Sequence, residues 1–181
     1  MPTAIAFRFP GGRYHATPWD AQVNEADVEW PPSPWRILRA LVATWHRKAD
    51  HDRYPEPVLE ALIEALARTP PSYRLPPAIR AHSRHYMPAP VAKTLVFDAF
   101  ARVDPAAELV ALWPELTLAG AERALLDELL RNLGYLGRAE SWVEARLLES
   151  WDGTADCEPT ARDSAAAASL RTEPVTLAAP V

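Results

Sequence analysis

The order in which hydrophobic periodicity changes along the chain is its tightest constraint. Segments of period two and segments of helical period follow one another as strand, helix, helix, strand, strand, helix, strand. Thr3 to Phe9 alternates, with Ile5, Phe7 and Phe9 on one face and Ala4, Ala6 and Arg8 on the other, and Gly11-Gly12 ends it. After a long connection holding Trp19, Trp30 and several prolines, Ser33-Pro34 supplies an N-cap followed by proline at the first helical position. Trp35, Leu38, Leu41, Val42 and Trp45 then mark one helical face. A second helix, Glu56 to Ala67, presents Val58, Leu59, Leu62, Ile63 and Leu66 and stops before Pro70-Pro71. Ala78 to Met87 and Thr94 to Val103 alternate in tandem and read as a hairpin joined through Pro88-Ala89-Pro90, and Leu109 to Trp113 is a further short strand. Ala119 to Leu133 is a helix with Leu125, Leu126, Leu129, Leu130 and Leu133 inward, closed by Gly134, and Ser141 to Leu148 alternates as the last strand.

That order predicts an α+β, ferredoxin-like (RRM-like) βαββαβ fold with an extra helix after the first helix and a long first connection. In this fold the helices cover one face of an antiparallel sheet, and the other face, with its hairpin, is expected to be open to RNA. From Trp151 the composition shifts to Ala, Thr, Asp, Pro and Ser, so residues 1–150 read as one domain and 151–181 as a linker or tail.

No apolar run approaches the roughly 20 residues that a membrane span requires, and the first residues lack the pattern of a secretory signal, so the expected setting is the cytoplasm with no membrane partner. The single cysteine, Cys157, excludes an internal disulfide and a cysteine-cluster zinc site. No divalent-metal site and no cofactor are expected, because no histidine pair has helical ligand spacing and the most basic interval has no carboxylate.

The net charge is −5, but the charges are segregated. No acid lies between Glu64 and Asp98, an interval that holds Arg68, Arg74, Arg80, Arg84 and Lys93. Arginine is the better residue for bidentate phosphate contacts and for stacking on bases. Strand alternation places Arg80, His82, Arg84 and Tyr86 on one face, where they can hold phosphates and stack on a base, or simply face solvent. Arg13, Tyr14 and His15, after the Gly11-Gly12 turn, form a second candidate contact. Gly134, Gly137 and Arg138 form a third, in which exposed backbone N–H groups can approach a phosphate and Arg138 can clamp it; a helix cap and turn is the plainer reading. Trp30 can pack under the first connection or stack on a base, and Trp142 can lie on either face of the last strand. His82, His85 and Tyr86, with Arg84 or Lys93, supply the residue types for metal-independent RNA cleavage, although His85 faces away from the other two.

Three stretches, FPGGRYHATPW (Phe9 to Trp19), EWPPSPWRILRALVATWHRK (Glu29 to Lys48) and LGYLGRAESWVEARL (Leu133 to Leu147), together with AHSRHYMP, resemble the N-terminal part of the Csb-two family of type I-U (also called I-G) CRISPR systems. That family fuses a Cas five-like module to a Cas six-like module of the RAMP type. The resemblance spans roughly residues 1 to 150 and implies an RNA-binding subunit that holds the 5′ handle of the crRNA within Cascade, beside its backbone and large subunits, in antiviral defence. It implies that precursor cleavage belongs to the second module, where the family's endoribonuclease lies. Two alternatives stand beside it: a crRNA-processing endoribonuclease using His82 or His85, and a protein–protein adaptor docking through the helices of Pro34 to Ala67.

Overall fold

The computed structural model describes residues 2–19, 21, 27–87 and 94–160, with the side chains of His85, Met87 and Thr94 left aside. Among the described residues the elements follow one another as β1 (Thr3–Arg8), β2 (Arg13–Tyr14), α1 (Pro34–Lys48), α2 (Glu56–Ala67), β3 (Ser72–Arg74), β4 (Ala78–Met87), β5 (Thr94–Val103), β6 (Glu108–Trp113), α3 (Gly120–Asn132) and β7 (Glu144–Leu147). Four strands form one antiparallel sheet in the order β3-β6-β1-β7. Numbered among themselves, these strands lie as second, third, first, fourth, which is the ferredoxin-like arrangement with α1 and α2 in the first crossover and α3 in the second.

The second and third strands of that pattern, in chain order, are not the ones the periodicity suggested. Ala78–Met87 and Thr94–Val103 do form a hairpin, in register from Ala78 opposite Val103 to Met87 opposite Thr94. That hairpin is an insertion, and it belongs to a second sheet of order β2-β5-β4. The positions expected for it in the main sheet are taken by the three-residue β3 and by β6. The segment 88–93, with Lys93, lies outside the described residues.

The helices begin and end for local reasons. Ser33 Oγ accepts the Arg36 backbone N–H at 3.3 Å, and Pro34 occupies the first turn, where a missing N–H costs nothing. Ile37, Leu38, Leu41 and Trp45 face inward. Trp45 is core as expected, whereas Trp35 is half-buried beneath the Arg39 guanidinium. Helix α3 buries Leu125, Leu126, Leu129 and Leu130. Gly134 is not in the left-handed conformation expected of a helix-closing glycine, because Leu133 ends the helix in extended backbone.

One apolar core lies between the helices and the sheet face of Ile5, Phe7, Leu109, Ala111 and Trp113, and it extends under the second sheet through Tyr14, Ala99, Ala101 and Val103. Its polar tips are satisfied. The Trp113 indole donates to Leu66 O at 3.0 Å, Trp45 donates to Tyr54 O at 2.9 Å, and the Tyr73 hydroxyl donates to Pro32 O at 2.8 Å. Leaving any of these buried groups unpaired would cost about 1–3 kcal/mol. Glu29 ties the long connection to α1: Arg36 Nε donates to its Oε1 at 2.7 Å and Arg36 Nη2 to its Oε2 at 3.0 Å, while the Ser33 N–H donates at 2.8 Å.

The opposite face of the main sheet is not open. Its small residues Ala4 and Ala6, with Val110, are buried together with Leu112, Leu148 and Trp151. The chain after β7 crosses that face. Leu148 N–H donates to Ala4 O at 2.9 Å, and at the far edge Tyr73 N–H donates to Cys157 O and Asp156 N–H to Tyr73 O, both at 2.7 Å. The arginines along the face are paired: Arg8 with Glu144, Arg146 with Glu108 and Arg74 with Asp156. The expectation that this face meets RNA is therefore corrected, because apolar burial and charge pairing have already consumed it. Residues 151–157, expected as the start of a tail, carry the contacts that do so.

Candidate nucleic-acid interface

The second sheet places residues on two faces with different surroundings. Tyr14 lies opposite Ala101, and this face turns into the core. Arg13 lies opposite Arg102, and strand alternation puts Phe100 and Asp98 on their face. Arg13, Phe100 and Arg102 form one wall of an open cleft of about 500 Å³, lined by Gly11, Gly12, Arg13, Phe100, Arg102, Glu140 and Trp142. The opposite wall comes from the loop before β7.

Like charges directly opposite one another in a sheet are destabilising, by roughly 0.2–1 kcal/mol. Among the described residues neither Arg13 nor Arg102 has a carboxylate within ion-pair range; Arg13 instead lies 5.9 Å from the Phe100 ring centroid. Trp142 is 64% exposed, an unusual position for a large apolar ring. It pairs by a single β-bridge with Tyr135, which is also exposed. Two cations, two glycines and a bare indole in one concavity can take a phosphate and a stacked base together.

Behind the cleft, the loop of residues 137–141 grips the chain after β2. His15 is buried; its backbone N–H donates to Ser141 Oγ at 2.7 Å, and its carbonyl accepts from the Arg138 N–H at 2.8 Å and from the Ser141 hydroxyl at 3.2 Å. Its ring Nδ1 lies 2.8 Å from Glu140 Oε1. Burial, reinforced by Arg138, lowers the imidazole pKa from its ordinary value despite Glu140, so the ring is held neutral.

This geometry redistributes the residues expected from the sequence. Arg13 lines the cleft. Tyr14 and His15 do not reach the surface: Tyr14 packs 5.4 Å from Phe9 and 5.7 Å from Trp30 between ring centroids, and its hydroxyl donates to Glu29 at 3.2 Å. Burial and then Glu29 push its phenol well above the ordinary value, which keeps it a donor. Trp30 packs under the connection rather than presenting a free ring. Gly137 makes no cradle for a phosphate, because a Cβ there would stand 2.5 Å from His15 O; its room is filled by the chain itself. Gly134 has open space around it. Arg138 faces Asp98, Nη1 to Oδ1 3.1 Å, which neutralises the proposed clamp.

Arg80, His82, Arg84 and Tyr86 do share one exposed face, opposite Ala101, Ala99, Phe97 and Leu95. That is the other face of the hairpin, pointing away from Arg13 and Arg102. The charge segregation along the chain is only partly preserved in space, since Arg80 Nη1 lies 3.4 Å from Asp27 Oδ1. Arg84 stacks 5.4 Å from the Phe97 centroid and its Nε–H donates to His82 Nε2 at 3.2 Å. For His85 the backbone register, opposite Val96, is described; its side chain is not. Among the described residues, no group of three His, Cys, Asp or Glu side chains is arranged to hold a metal ion. Among the same residues, no helix is long and apolar enough to cross a membrane.

Arg102, Phe100 and Glu140 escaped the sequence reading. The signal for the first two lay in the second face of β5, where Asp98, Phe100 and Arg102 alternate against the apolar Phe97, Ala99 and Ala101. Glu140 gave no local signal.

No known protein family matches the sequence, and no curated protein matches it. Among solved structures the chain is similar to Cas6 of Thermus thermophilus, at 18% sequence identity and a TM-score of 0.37, over 80% of this chain and 53% of that one. The chain thus spans about half the length of the solved structure that it resembles.

Proposed function

We propose that the chain binds single-stranded RNA in the Arg13–Arg102 cleft, as the crRNA-binding subunit of a type I-U/I-G Cascade effector. It holds the 5′ handle of the crRNA in cytoplasmic antiviral defence, with the backbone and large subunits of the complex as protein partners. The observation that carries the RNA reading is the unneutralised Arg13–Arg102 pair beside the exposed indole of Trp142. Phosphate binding relieves the like-charge contact, and the indole offers a surface to any base.

The CRISPR part of the reading is supported by the motifs. Two of them, remote in sequence, supply opposite walls of the same cleft: Gly11, Gly12 and Arg13 from Phe9 to Trp19, and Glu140 and Trp142 from Leu133 to Leu147. A third, Glu29 to Lys48, supplies the Glu29–Arg36 pair under Tyr14. The β4 face of Arg80, His82, Arg84 and Tyr86 lies on the far side of the hairpin and offers a second phosphate track.

The test is titration of a labelled repeat RNA with the parent protein and the Arg13→Ala/Arg102→Ala variant across a salt series, in EDTA. Each lost phosphate contact flattens the log–log salt slope by about 0.7, so the double variant loses about 1.4 and binds more weakly throughout. Unchanged affinity and slope would remove the cleft from RNA binding. The RNA should emerge intact; a site-specific cut that His82→Ala abolishes would replace this reading with that of a processing endoribonuclease.

A further inference from the structure

A phosphate-binding cleft gains nothing from a carboxylate, yet Glu140 lines this one together with Arg13, Arg102 and Trp142. Its contact with His15 accounts for one oxygen only. Oε1 lies 2.8 Å from Nδ1 of the buried imidazole, which fixes the side chain on the cleft wall. Oε2 has no partner among the described residues, and the side chain is 39% exposed. Oxygen Oε1 also keeps a second lone pair, because one donor does not exhaust a carboxylate oxygen.

Resting on the RNA reading above, we propose that Glu140 is the base-reading residue of the cleft and that the base it selects is guanine. A base lying against the Trp142 face, with its phosphate held by Arg13 and Arg102, has its Watson–Crick edge within reach of Glu140, two positions before Trp142 in the same loop. A carboxylate accepts and cannot donate, so it rewards N–H groups and repels carbonyls and ring nitrogens. Guanine alone among the four bases presents two adjacent donors on that edge, N1–H and the N2 amino group, matching two carboxylate oxygens. Adenine and cytosine offer one amino group beside a bare ring nitrogen. Uracil offers one N–H between two carbonyls. A bidentate pair of this kind is worth roughly tenfold or more in base discrimination. The neutral His15 behind Glu140 leaves the carboxylate's charge uncancelled.

The experiment uses the full chain and short uridine oligomers whose central nucleotide is varied. The parent should favour guanosine over adenosine, cytidine and uridine by about tenfold, and inosine, which lacks the N2 amino group, should fall between guanosine and the rest. Glu140→Gln keeps an oxygen for the His15 N–H and should melt like the parent, while its guanosine preference collapses and the all-uridine oligomer binds more tightly as a negative charge leaves the cleft. A guanosine preference that survives in Glu140→Gln would overturn the proposal. So would a parent that binds every oligomer alike, or that binds inosine as tightly as guanosine. A parent that binds none of the oligomers would overturn the RNA reading itself, which is a distinct outcome.

Discussion

Gly137→Ala gives the sharpest test of how the cleft is built. Gly137 sits at φ +91°, a backbone conformation that costs an L residue about 1–2 kcal/mol. A Cβ at this position would stand 2.5 Å from His15 O and 3.3 Å from Ala16 Cβ, so the 137–141 loop must move off the 15–16 backbone. That movement weakens the bond from Arg138 N–H to His15 O, now 2.8 Å, and the two between Ser141 and His15, each worth about 1 kcal/mol net. The total is about 2–3 kcal/mol if only the Arg138 bond is lost and about 4–5 kcal/mol if both Ser141 bonds lengthen as well. For a domain of this size that lowers the melting temperature by about 10 °C. Urea denaturation at neutral pH measures the loss directly. Gly134→Ala, a few residues away, is the control: its backbone is not left-handed and nothing lies within 4 Å of the added methyl, so it should be neutral or stabilise by about 0.4–1 kcal/mol. If Gly137→Ala falls within about 1 kcal/mol of the parent, the loop is not clamped to His15 and the rear wall of the cleft has been misassigned.

Two further outcomes follow from the same geometry. Trp142→Ala should weaken RNA binding by about 5- to 150-fold, the value of one stacked base, with little change in the melting curve because the ring is mostly exposed; titration and melting of the same preparation check both halves. His15 has a folded-state pKa below its ordinary 6.5, so near and below that pH the unfolded chain binds the proton more readily and stability falls as pH drops. The contribution is fully present above about pH 7 and is lost progressively below 6.5, so urea denaturation at pH 7.5 and 5.5 should show a smaller pH loss for His15→Gln than for the parent.

The helices were legible in the sequence because their determinants are local. Ser33-Pro34 caps α1, Glu56 to Ala67 is found as read, and the leucines of α3 face the core at helical spacing. So was the order of strands and helices that makes the fold ferredoxin-like. Which strands come second and third in the main sheet's chain order was not legible, because a strand is defined by its partner and Ser72–Arg74 is too short to show a period. The two long alternating runs therefore read as the hairpin of the main sheet, whereas the pairing of Thr94–Val103 with Arg13–Tyr14 puts them in a different one. Among the site residues, Arg13 was visible as a cation after a glycine turn. The burial of Tyr14 and His15 was not: Tyr14 packs between Phe9 and Trp30 only once the long connection folds back, and His15 is held by Ser141 and Glu140 more than a hundred positions away. Periodicity reports which face of a segment is apolar; it carries no record of what later folds across that face. The open face of the sheet is covered by Trp151, and the cleft wall is completed by Glu140 and Trp142, because the chain returns to its own beginning after β7, and only the tertiary structure decides that return.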